Sequence, residues 1–203
     1  MREPAAIQAA LSLVACPARV RQTAHQPLPR GMTFLLEVAA GDQEALAEAL
    51  RITERSEEEL RLAVGFFIEQ RLLGQGGGNS YRVLGAKAED AQAMLRRHMV
   101  LLMKWLHPDI AARQRGAAEV NRSVFAHRIS AAWDDVKTSD RRSTYDQRLA
   151  REGIPGAVVR SGQAAIELGS RRHAKRRKKK KAAGTRASRR TPRARFQGKS
   201  GEP

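Results

Sequence analysis

Pro108 interrupts the chain between two long stretches of helical spacing, and this break narrows the possible folds more than any other feature. Upstream, Leu95, Met99, Leu102 and Leu106 fall at i, i+4, i+7 and i+11, one apolar stripe on a helix expected from Glu89 to Leu106. Downstream, Phe125, Ile129, Ala132, Trp133 and Val136 mark a further helix, expected from Ser123 to Val136. Proline has no backbone donor and pushes the residue before it out of the helical region, so the first helix must end at His107. A loop containing Gly116 separates the two, which predicts a helical hairpin with His107-Pro108-Asp109 at its turn. Ser139 or Asp140 can cap a last short helix through Leu149, and Gly153, Pro155 and Gly156 close the folded part.

The N-terminal half also reads as helical. Ala5 to Val14 fits a short amphipathic helix, and 17–30, with Pro17, Pro27 and Pro29, reads as a linker. Met32 to Ala40 forms a helix stopped by Gly41, and Asp42 offers an N-cap for Gln43 to Arg51. Ser56 with Glu59 three residues on is a capping box for a third helix, which lines up Leu60, Ala63, Val64, Phe67 and Ile68 on one face. Gly74 follows as a C-cap, and Gly76, Gly77 and Gly78 make a hinge. No strand pattern or internal repeat is present, so the expected class is all-α. Four regions follow: an N-terminal helix and linker (1–27), a small helical domain (28–78), the hairpin domain (79–152) and a disordered basic tail (153–203).

Charge separates the tail from the rest. Residues 160–203 hold 16 Lys and Arg against 2 Asp and Glu, a balance of +14, whereas 1–159 hold 22 against 19, only +3. Too little apolar surface remains beyond Gly156 to offset the entropy of ordering it. The run Arg171, Arg172, Lys175, Arg176, Arg177, Lys178, Lys179, Lys180 and Lys181 suits RNA or DNA, because such a run neutralises phosphates and releases counterions. A solvated solubility tail, or contact with an acidic protein or lipid surface, are the alternatives. Phe196 is the single aromatic there, so base stacking would add little.

Several function classes drop out. One cysteine, Cys16, makes neither an internal disulfide nor a thiolate zinc site. No apolar run reaches the ~20 residues a membrane span needs. Leu13-Val14-Ala15-Cys16 resembles a lipoprotein cleavage box, but Arg2 is followed by Glu3 and Pro4, so a helix in a cytoplasmic protein is the expectation. His98, His107, Asp109 and His127 have ligand chemistry, yet nothing in their spacing orients them on one metal. Gly76 to Gly78 lacks the Lys and Ser or Thr of a phosphate loop. No paired nucleophile and base stands out, so neither an enzyme nor a bound cofactor is expected.

Four motifs in order carry a family resemblance: Tyr81-Arg82-Val83-Leu84-Gly85, then His107-Pro108-Asp109, then Ile129-Ser130-Ala131-Ala132-Trp133, then Arg142-Ser143-Thr144-Tyr145-Asp146. Tyr81 to Asp146 thereby resembles a J-domain, the module of DnaJ-type co-chaperones, and 28–73 resembles the N-terminal extension of a bacterial subfamily. The resemblance implies docking on the nucleotide-binding part of a DnaK-type ATPase chaperone, whose ATP hydrolysis it accelerates. It gives Asp109 a bidentate pair with a partner arginine, Pro108 the turn and His107 an N–H that holds the loop. It also implies a basic face on the second helix, here represented by Arg96, Arg97 and Lys104. Val100, Leu101 and Trp105 stand where that face is usually basic; packing of Leu101 and Trp105 against the N-terminal helical block is the preferred explanation, a more apolar partner contact the other. The second function class is a nucleic-acid- or ribosome-associated protein in which this module is mainly structural.

Overall fold

The capping signals are local chemistry, and they place the N-terminal helices. In the computed structural model, which describes residues 2–23, 26–74, 79–111 and 118–153, the Asp42 carboxylate accepts the Ala45 N–H at 2.8 Å and opens α4 (Gln43–Thr53). Ser56 and Glu59 complete the capping box of α5 (Glu57–Phe67), each side chain accepting the other's backbone N–H. Ahead of these lie α1 (Ala5–Ala15), a single turn α2 (Arg19–Thr23) within the proline-rich linker, and α3 (Met32–Ala39). The second half supplies α6 (Ser80–Val83), α7 (Gln92–Trp105), α8 (Pro108–Ala111), α9 (Ala118–Val136) and α10 (Ser139–Glu152). Among the described residues there is no strand, and the fold is all-α. The 76–78 hinge and the whole basic run 171–181 lie outside the described residues.

Four boundaries differ from the sequence expectation. α7 starts at Gln92, because the Asp90 carboxylate accepts the Lys87 N–H at 2.7 Å in a turn ahead of the helix. α9 starts at Ala118, well before Ser123, so the apolar periodicity from Phe125 does not mark the helix start. Pro108 does not merely stop a helix; it opens the turn α8, where its missing N–H costs nothing. Beyond Phe67 the chain widens into a π-helical turn, Ile68–Leu72, with the Leu73 N–H on the Ile68 carbonyl at 3.0 Å. Gly74 ends that turn for steric reasons and does not take the left-handed cap expected of it. A Cβ there would lie 2.7 Å from the Gln70 carbonyl oxygen.

The first three regions read from the sequence share one hydrophobic core, running from Ala6 and Ile7 through Leu35 and Leu36 to Leu102, Ile129 and Leu149. α3 is the reason. Met32 and every residue from Phe34 to Ala39 are buried, Glu37 included, so this helix is covered on nearly all sides and cannot lie on a surface. It packs on α1, α4 and α5 on one side and on α7 on the other, while α9 packs on α6, α7 and α10. Gly85 seals the junction. Its left-handed backbone (φ +65°) closes α6 with the Ala86 N–H on Tyr81 O and the Gly85 N–H on Arg82 O, both at 2.9 Å. An added Cβ would meet the Met32 methyl at 3.3 Å. Arg82 and Arg128 then reach back to α5's continuation, donating to the carbonyls of Arg71 and Leu73, groups that a helix end leaves unpaired.

Candidate functional site

His107, Pro108 and Asp109 sit where α7 turns into α8. The His107 N–H bonds the Lys104 carbonyl at 3.0 Å, finishing α7. The Asp109 N–H points at His107 Nδ1 (3.4 Å), and one Asp109 carboxylate oxygen lies 3.5 Å from the same nitrogen. The side chains are 60% and 84% exposed for His107 and Asp109, so packing of the N-terminal helices does not cover them.

α7 buries one stripe, shifted from the expected one to take in His98 and Trp105 and to leave Met99 only partly covered. Leu95, His98, Leu102 and Trp105 are buried, and Leu106 beyond them. His98 is held from two sides: Nδ1 lies 3.1 Å from the Leu84 carbonyl and Nε2 2.8 Å from Thr33 Oγ1 on α3. A carbonyl can only accept, so Nδ1 carries the proton, Nε2 accepts from the hydroxyl, and the ring is neutral. Burial pushes its pKa below the usual histidine value, against the Leu84 bond and the charge of Asp90. Trp105 is fully buried and stacks on Phe125 of α9, centroids 6.4 Å apart and planes 28° apart. Leu101 is partly buried against the core, whereas Val100 is half exposed. The three apolar replacements thus separate, two turned into the chain and one left on the surface.

The cations separate in the same way. Arg97 pairs with the buried Glu37 carboxylate of α3, which Arg2 approaches at 3.5 Å. Arg96 and Lys104 are exposed and make no ion pair among the described residues. An open groove of about 810 Å³ runs between Arg96, Met99 and Val100 of α7 and Trp133 and Lys137 of α9. Sequence reasoning missed this groove. Trp133 is only half-buried and forms a wall. The signal was there in its spacing: Phe125, Ile129, Ala132 and Val136 already complete a buried stripe, and Trp133 lies one step around the helix from it.

The far end of the hairpin is locked by the first and last motifs together. Spacing of i, i+3 and i+4 puts Arg142, Tyr145 and Asp146 on one face of α10. The Tyr81 hydroxyl donates to Asp146 Oδ1 at 2.6 Å and accepts from Arg142 Nε at 3.1 Å. The Tyr145 hydroxyl accepts the Ser80 N–H at 2.5 Å, and the two tyrosine rings meet edge to face at 5.8 Å. Arg142 also donates to the carbonyls of Ala88 and Asp90, both at 2.7 Å, fixing the turn from which α7 starts. Burial, then the bond to Asp146, hold the Tyr81 phenol well above its ordinary pKa. All four side chains are buried, so this is a scaffold and not a reaction centre.

Among the described residues no group of three or more His, Cys, Asp or Glu converges as a metal would need, and no helix is long and apolar enough to cross a membrane. No family model matches the chain. Neither a curated protein nor a solved structure is significantly similar to it.

Proposed function

We propose that this chain is a J-domain co-chaperone, which docks on a DnaK-type ATPase chaperone through His107, Pro108, Asp109 and the exposed face of α7 and stimulates its ATP hydrolysis. One observation carries the reading. The tripeptide stands exposed at one end of a helical hairpin whose other end is tied by the Tyr81 to Gly85 and Arg142 to Asp146 motifs. The motifs that make up the resemblance are therefore parts of one three-dimensional arrangement.

In this reading the chain is not itself an enzyme and needs no cofactor; it binds one conformation of the partner more tightly than another and shifts the equilibrium by that difference. The Asp109 carboxylate is placed for a two-pronged bond to a guanidinium, and His107 keeps the short turn in shape. Arg96 and Lys104 steer an acidic surface, while Val100 and the Trp133 groove add apolar contact. Such a partner is cytoplasmic, which puts this chain there too. The test is the ATPase rate of a DnaK-type chaperone with and without purified chain. Stimulation of several-fold is expected, and His107→Gln should abolish it. Equal stimulation by that variant, which leaves the buried scaffold untouched, defeats the proposal.

A further inference from the structure

Arg71 and Arg82 form a cationic pair with no counter-charge. Arg71, on the π-helical turn, is 8% exposed; Arg82, on α6, is half-buried. Both guanidiniums share one acceptor, the Gln26 carbonyl, with Arg71 Nη2 at 3.2 Å and Arg82 Nη1 at 2.9 Å. Arg71 also lies over the Phe67 ring, 5.8 Å from its centroid. Neither arginine meets a carboxylate among the described residues, and Arg71 Nε and Arg82 Nη2 are buried without a hydrogen-bond partner. Burial, then the charge of Arg82, lowers the Arg71 pKa. The neighbouring Glu69 makes no ion pair with either arginine among the described residues, and burial raises its pKa. A buried, unpaired cation is costly, and a bound anion removes the cost.

A cavity of about 300 Å³ lies beside Arg71, between α1, α2 and α5. Its walls include the apolar Leu13, Phe67, Pro27 and Pro29, and the exposed Arg19 stands at its rim. We propose that this cavity binds a small organic carboxylate with an apolar body, the carboxylate on Arg71 and the body against Leu13, Phe67 and the two prolines. The volume is at the small end of ligand pockets, which suits a molecule and not a polymer. Apolar walls favour a monoanion over a phosphate dianion, whose desolvation costs more.

The test uses the full chain and titration calorimetry with phenylpropionate, phenylpropanol and phenylpropylammonium. The carboxylate should bind about tenfold more tightly than the alcohol, the difference of one charge-assisted bond, and the ammonium should not bind. Arg71→Met should weaken phenylpropionate by at least about tenfold. Arg19→Glu, at an exposed position that cannot unfold the chain, should weaken it by about threefold and decides the matter if Arg71→Met fails to fold. Equal affinity for alcohol and carboxylate, or no binding at millimolar concentration, overturns the proposal. Wild-type affinity in Arg19→Glu also overturns it.

Discussion

Tyr81→Phe isolates the latch between the ends of the hairpin, because it deletes one oxygen and changes almost nothing else in shape. That oxygen makes two buried bonds: it donates to the Asp146 carboxylate at 2.6 Å and accepts from Arg142 at 3.1 Å. The first is charge-assisted, worth about 1.5–3 kcal/mol, and its loss takes a donor from a carboxylate that is 3% exposed. Arg142 keeps its two carbonyl acceptors at 2.7 Å, so the second bond adds little. The expected loss is about 2–3 kcal/mol, a large fraction of the ~5–15 kcal/mol available to a typical domain. Urea denaturation followed by helical circular dichroism measures it. Tyr145→Phe is the internal comparison, since it strips one backbone amide of its acceptor and should cost about 1–2 kcal/mol. Asp146→Asn combined with Tyr81→Phe should be less destabilising than the sum of the two, because both break one bond. A change below about 0.5 kcal/mol for Tyr81→Phe would refute the reasoning, as that is the range of ordinary surface substitutions.

Three further outcomes follow from the same geometry. His98 is neutral when folded and has a lowered pKa, so the unfolded chain binds the extra proton first; stability should hold above the unfolded value near ~6.5 and fall as pH drops below it. Denaturation midpoints across that window should show a slope that His98→Asn flattens; parallel curves for both proteins would exclude the ring as the source. Arg97→Ala should cost about 1–3 kcal/mol, since it takes one of two arginines from a buried carboxylate and leaves Arg2 as the other, and should leave ATPase stimulation near wild type, whereas Arg96→Ala and Lys104→Ala should lower stimulation without touching stability. Removing residues 170–203 should abolish nucleic-acid binding, which in the full chain should weaken steeply between low and physiological salt; filter binding at two salt concentrations decides it.

What the sequence made legible was mostly what neighbours in the chain decide. Asp42, Ser56 and Glu59 act within one helical turn, and the break at Pro108 is a property of proline itself, so each could be placed from a few residues. Contacts across the fold could not be. Nothing around Glu37 announces Arg97, and nothing around Arg142 announces the turn at Ala88 to Asp90 that it holds. Trp133 packs against the core and also walls the groove, and a tryptophan near an apolar stripe satisfies the helical pattern in either role. The π-helical turn gives no compositional warning at all. Of the candidate site, the tripeptide and the outward direction of Arg96 and Lys104 were readable; the engagement of Arg97 and the groove beside Val100 depended on which helices pack together.

The wedge of α3 sets an order of events during synthesis. Residues through Leu73 leave the ribosome first and already contain the apolar surfaces that α1, α3, α4 and α5 bury in one another. They form a platform on which α7 can settle as soon as it emerges, through Thr33 and Glu37. The latch residues Arg142 and Asp146 arrive last, roughly sixty positions after the tyrosine they hold. A nascent chain stalled before Ser139 would thus display His107 to Asp109 on a helix already seated on α3 but unheld at its leading turn, and α10 is the element that completes that hold.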